Sequence, residues 1–151
     1  MATTAPIVHA RTGKRYLEEL GRDQREIWLD GEAIRNPLEH PLLATGAESI
    51  ARVFDLQHEH PDELLMPSPD DGGLVNVTHI IPRSQDDLER RRRAIELTAP
   101  VTAGLMGRTP DYLTVTFACF AGRADVWARR GNARGAENIV AYHKLMRDRD
   151  L

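Results

Sequence analysis

Arg108 and Tyr112 are the residues of this chain best placed to do chemistry together. They stand four apart in Met106-Gly107-Arg108-Thr109-Pro110-Asp111-Tyr112, so a helix that starts here holds a guanidinium and a phenol one turn apart at its mouth. The competing reading is structural: Arg108 bridges to Asp111, and Tyr112 is a core aromatic with a bonded hydroxyl. Other polar groupings are weaker. His58-Glu59-His60, with Asp62 and Glu63 nearby, can be drawn as a metal site, but two imidazoles on a polar loop without a third fixed ligand read as solvated side chains, and no metal is assigned. Arg90 to Arg93 point around the whole circumference of a helix and are flanked by Asp86, Asp87, Glu89 and Glu96, which favours solvated or paired charges over an anion site. Cys119 is the only cysteine, which excludes an internal disulfide; its neighbours Phe117, Ala118 and Phe120 suggest a small buried hydrophobe.

The element that positions the pair opens at Thr109, whose hydroxyl can cap free amides, with Pro110 at the first helical position and Asp111 at the positive end. Leu113, Phe117, Phe120, Ala124 and Trp127 then recur close to a 3.6 period, broadened by Val115, Ala118 and Ala121. That band predicts a helix covered on more than one side, central to the fold. Upstream, residues 1–11 lack periodicity and read as a flexible arm. Thr12 caps a helix over Gly13 to Leu20, with Gly21 as its stop. Glu26 to Ile34 carries Asp30-Gly31 between two short strand-like runs, the signature of a type I′ hairpin. Leu43, Ala47, Ile50, Ala51 and Phe54 spell one face of a helix running to about Gln57. His58 to Gly73 is loop by composition, with a brief strand at Leu64 to Met66. Leu74 to Ile81 reads as a strand pairing with it, closed by Pro82. Ser84 and Asp87 form a capping box opening a helix with Leu88, Ile95 and Ala99 inward, ended by Pro100. A last helix places Ile139, Tyr142, His143 and Met146 on one side.

With 151 residues, 41% of them hydrophobic, and a net charge of -3, the chain fits one cytoplasmic globular domain. The near balance of charge gives no footprint for nucleic acid, no apolar run approaches the ~20 residues that span a bilayer, and the N-terminal stretch lacks a secretory pattern. No nucleic-acid or membrane partner is expected.

Several motifs, taken in order, resemble one family. Arg11-Thr12-Gly13-Lys14, Trp28-Leu29-Asp30-Gly31, Ile50-Ala51-Arg52 with Asp55-Leu56-Gln57-His58, Ile81-Pro82-Arg83-Ser84, Arg90 to Ala94, Met106 to Tyr112 and Glu137-Asn138-Ile139 are similar to segments of the N-terminal domain of the 4-hydroxyphenylacetate 3-hydroxylase family. The resemblance runs from Arg11 to Leu151. It implies a mainly α fold with small antiparallel β hairpins, the helical N-terminal domain of an acyl-CoA dehydrogenase-like flavoenzyme, over residues 12–151. The middle and C-terminal domains are absent from this chain.

What the resemblance implies about activity is specific. The family is the oxygenase component of two-component aromatic monooxygenases, flavoproteins that take reduced FAD from a separate flavin reductase and add a hydroxyl ortho to a phenol hydroxyl, as in 4-hydroxyphenylacetate catabolism. By position, Arg108 and Tyr112 contact the phenolic oxygen. A guanidinium there favours phenolate, which attacks electrophilic oxygen faster. The family's histidine falls past Leu151, and His143, inside the last helix, is not its counterpart. Most FAD contacts are expected outside this chain, which alone is expected to be inactive. The faces that would meet the remaining domains, or partner subunits of a homotetramer, are expected to expose apolar residues. The 4-hydroxybutyryl-CoA dehydratase branch, which ligates an iron–sulfur cluster partly through cysteines of this domain, is disfavoured by the single Cys119. A free-standing, non-catalytic helical interaction module is the remaining alternative.

Overall fold

The structure, a computed structural model, describes residues 7–101, 103–104 and 110–151. Arg108 and the expected cap Thr109 lie outside the described residues. The elements in order are α1 (Gly13–Arg22), β1 (Ile27–Leu29), β2 (Glu32–Ile34), α2 (Pro41–Glu59), α3 (Pro61–Leu64), β3 (Leu65–Pro67), β4 (Leu74–Asn76), a 3₁₀ turn (Val77–His79), α4 (Gln85–Thr98), α5 (Pro110–Gly122), α6 (Ala124–Ala128), a second 3₁₀ turn (Arg129–Gly131) and α7 (Ala133–Arg149). The molecule is thus mainly helical with two small antiparallel hairpins, β1–β2 and β3–β4.

The local signals act as expected where chemistry is local. The Thr12 hydroxyl accepts a hydrogen bond from the Arg15 amide at 3.1 Å, and α1 begins there. It runs past Gly21 to Arg22. Its first residue rests on α2: a Cβ on Gly13 would lie 2.4 Å from the Ala51 carbonyl oxygen, and the Gly13 amide donates to Asp55 Oδ1 at 2.8 Å. Asp30 and Gly31 both take positive φ, 51° and 85°, as a type I′ turn requires, pairing Ile27 with Ile34 and Leu29 with Glu32. On α4, Ser84 Oγ accepts from the Asp87 amide at 3.1 Å while Asp87 Oδ2 accepts from the Ser84 amide at 3.0 Å.

Four expectations are corrected. The arm is not loose over residues 7–11: the amides of His9 and Ala10 donate to the Leu74 carbonyl at 2.9 and 3.1 Å, that of Leu74 donates to Ile7 O at 2.8 Å, and Arg11 is buried. The loop after α2 contains α3, started by Pro61 with Asp62 and Glu63 in its first turn. The strand after Gly73 stops at Asn76, because Asn76 Oδ1 captures the Thr78 amide at 2.9 Å and turns the chain into a 3₁₀ conformation. On α4 the buried positions are Ala94 and Thr98, with Leu88 exposed: Arg90, on the same row, donates to the Leu65 carbonyl at 2.8 Å and so turns that row onto the hairpin. Of the other arginines in the run, Arg92 pairs with Glu89 and Glu96, and Arg93 pairs with Glu89.

The core gathers Leu56, Leu64, Met66, Val75, Val77 and Ala94, with Ile80, Leu97 and Val101 packed around them. The predicted central helix is not central. It breaks at Arg123 into α5 and α6, which pack on α7, and among its described side chains Thr114 and Ala118 are buried while Leu113, Phe120, Val126 and Trp127 remain exposed. Cys119 is exposed as well, not the buried hydrophobe expected. Among the described residues, α7 and the Val77–His79 turn cover the band only in part.

Candidate functional site

Tyr112 lies in the first turn of α5 with 53% of its surface exposed, and its carbonyl accepts a hydrogen bond from Thr116 Oγ1 at 3.0 Å. Next to it Leu113 is equally exposed, so the phenol stands at the edge of an open apolar surface. That surface continues through aromatic contacts: Phe117 meets Tyr142 and Phe120 at centroid distances of 5.0 and 6.1 Å, and Phe120 meets Trp127 at 5.2 Å.

What fixes α5 beneath this surface is a buried polar chain. Thr114 Oγ1 donates to Thr78 Oγ1 at 2.8 Å, and Thr78 Oγ1 donates to Asn76 Oδ1 at 2.6 Å. Asn76 Nδ2 donates to Gln57 Oε1 at 2.9 Å. Gln57 Nε2 in turn donates to Asp150 Oδ2 and to the Arg11 carbonyl, both at 2.7 Å. Asp150, in a left-handed conformation after α7, accepts from the Arg11 amide at 2.8 Å through its carboxylate and from Arg11 Nε at 2.7 Å through its carbonyl. Burial pushes the Asp150 carboxyl up, but the His79 imidazole, the Gln57 amide and the Arg11 amide outweigh it and hold the group below the ordinary carboxylate range. The Arg11 guanidinium lies 4.4 Å from the Phe54 ring centre and bonds Glu19 at 3.0 Å.

Sequence reasoning missed this scaffold. Its members are scattered polar residues with no shared motif, joined only when the N-terminal arm, α2, β4 and the end of α7 meet. The His58-Glu59-His60 grouping is engaged otherwise: His58 Nε2 donates to the Arg11 carbonyl at 2.9 Å, and Glu59 pairs with Arg52. Among the described residues no three His, Cys, Asp or Glu side chains are grouped to hold a metal, and no helix is long and apolar enough to cross a membrane. Nor do the described cavities form a dinucleotide cradle by themselves. One, of about 370 Å³, is lined by four carboxylates with Arg90 and Arg93, a poor match for a pyrophosphate.

Comparison with known proteins agrees with the architecture. Residues 12–151 match the family model described as 4-hydroxyphenylacetate 3-hydroxylase N terminal. The oxygenase component of 4-hydroxyphenylacetate 3-monooxygenase from Thermus thermophilus is 33% identical over 94% of this chain and 28% of its own length. A 4-nitrophenol 2-monooxygenase oxygenase component from a Rhodococcus species is 33% identical over 95% of this chain and 27% of its own. A crystal structure of a 4-hydroxyphenylacetate 3-monooxygenase oxygenase component, complexed with FAD and 4-hydroxyphenylacetate, superposes with a TM-score of 0.82 at 33% identity, over 94% of this chain and 29% of that one. An archaeal 4-hydroxybutyryl-CoA dehydratase shares the fold, with a TM-score of 0.77 at 18% identity over 94% of this chain and 28% of that one. The chain spans less than a third of the length of these relatives. With the motifs in order and the match running over residues 12–151, this chain belongs to the 4-hydroxyphenylacetate 3-hydroxylase family, in the part that forms its N-terminal domain.

Proposed function

We propose that this chain supplies the phenol-recognising wall of a FADH2-dependent aromatic monooxygenase, with Arg108 and Tyr112 as the residues that contact the phenolic oxygen. The observation that carries the reading is the family match over residues 12–151, joined to the position of Tyr112 at the rim of an uncovered apolar surface. Arg108 favours the ionised oxygen of the substrate by its charge, and the Tyr112 hydroxyl donates to the same oxygen. Leu113, next to Tyr112, offers an apolar surface to an aromatic ring. Reduced FAD, delivered by a partner reductase, supplies the activated oxygen when bound, with most of its contacts outside this chain.

A chimera tests the assignment: residues 12–151 replace the matching segment of the Thermus thermophilus oxygenase, and hydroxylation is followed with a flavin reductase present. Arg108→Ala in the chimera is expected to slow hydroxylation roughly a hundredfold, the scale seen when one donor at a site of developing negative charge is removed, while the flavin's reaction with oxygen keeps its rate. An unchanged hydroxylation rate rejects the role.

A further inference from the structure

A second cavity, of about 310 Å³, lies away from Tyr112, between the β3–β4 hairpin, the segment Ile80–Ile81 and α7. Met66, Pro67, Pro69, Ile80 and Ile81 make its walls apolar, and His79, His143 and Arg147 supply the polar groups. The volume is at the lower end of what small-molecule sites occupy.

The polar groups are set up unequally. Arg147 is committed: its guanidinium is held by Asp70 and Asp148, the latter through Nε at 3.0 Å and Nη2 at 2.9 Å, so two carboxylates already neutralise the charge an anion would seek. His143 Nε2 donates to the His79 carbonyl at 3.0 Å, which in a neutral ring leaves Nδ1 as a lone-pair acceptor. Burial lowers the His143 pKa, so the ring is neutral near pH 7. Behind it stands His79, 1% exposed, with neither ring nitrogen hydrogen-bonded and its Nε2 no closer than 3.8 Å to Asp150 Oδ1. Both His79 nitrogens are shut away from the cavity's open space and face Asp150 at best, so the acceptor left to a ligand on this apolar wall is His143 Nδ1.

We infer that this cavity binds a small, uncharged, mostly apolar molecule carrying one hydroxyl, which donates to His143 Nδ1. A wholly apolar ligand leaves His143 Nδ1 without a donor, and an anion meets Asp70 and Asp148 beside an arginine they already occupy. The site is independent of the Arg108–Tyr112 assignment and shares no residue with it.

The test is an NMR titration of the 151-residue chain with benzyl alcohol, toluene and benzoate, three probes of similar size that differ in the polar group. Benzyl alcohol is expected to give saturable shifts at the His143 ring and at the Ile80, Ile81 and Met66 methyls, and to bind at least fivefold tighter than toluene or benzoate. His143→Phe is expected to erase the preference for the alcohol over toluene. Equal affinities, non-saturating shifts, shifts centred elsewhere, or a preference that survives His143→Phe overturn the inference. If that variant does not fold, Ile80→Trp, which fills the cavity from a partly exposed position, must abolish benzyl alcohol binding, and retained binding overturns it equally.

Discussion

His143 carries a consequence for stability that can be worked out from its surroundings. Desolvation is the main cause of its lowered pKa; the His79 carbonyl bond opposes the shift without cancelling it. In the unfolded chain an imidazole titrates near 6.5, so below that pH the unfolded state takes up a proton that the folded state resists. The stabilisation is fully present above about pH 6.5 and is lost as pH falls through the lower folded value. His143→Gln keeps an N–H for the His79 carbonyl and removes the titration. Between pH 7.5 and 5.5 the wild-type melting temperature is therefore expected to drop more than that of the variant; equal drops in a thermal melt series contradict the assignment. Residue-scale reading of the sequence did not reach this environment. The partner of His143 is 64 residues away, and Asp150 bonds to Gln57 and Arg11 across 93 and 139 residues, separations over which no spacing rule operates.

Elements were legible where the deciding contacts are local. Thr12, Asp30-Gly31 and the Ser84–Asp87 box each settle a boundary through neighbours within four residues, and the structure agrees with all three. Burial was not local. The 3.6 period of Leu113, Phe117 and Phe120 gives helix correctly, yet says nothing of how many sides the rest of the chain can cover, and Leu88 and Cys119 were misplaced for the same reason. Two glycines separate conformation from contact at this scale. At Gly13 an added Cβ meets the Ala51 carbonyl, so Gly13→Ala forces α1 off α2 and is expected to cost about 1–3 kcal/mol. Gly46, in α2, has nothing within 4 Å of an added Cβ, so Gly46→Ala is expected to stabilise by roughly 0.5–1 kcal/mol through helix propensity alone. Denaturant midpoints of the two variants should move in opposite directions; a Gly13→Ala midpoint at or above wild type contradicts the packing described for α1.

At the scale of the molecule, one side is knit and another is open. The arm, α2, the β3–β4 hairpin and the end of α7 close on a shared polar chain, whereas α5 to α7 present Leu113, Phe120, Val126, Trp127, Tyr142 and Leu145 outward. An apolar patch of that kind marks a contact surface, and the family's relatives have more than twice as much polypeptide again with which to meet it. Tyr112 sits on the border between the two regions, held in place through α5 by Thr114 and Thr78. On the function proposed above, Arg108 acts on the substrate's acidity. The ionisation of bound 4-nitrophenol reads that action directly, because its phenolate is coloured and its phenol is not. In the chimera carrying residues 12–151, bound 4-nitrophenol is expected to stay ionised to lower pH than the free compound, and Arg108→Ala is expected to return it to the free value; identical titrations with and without the Arg108 side chain would contradict the account.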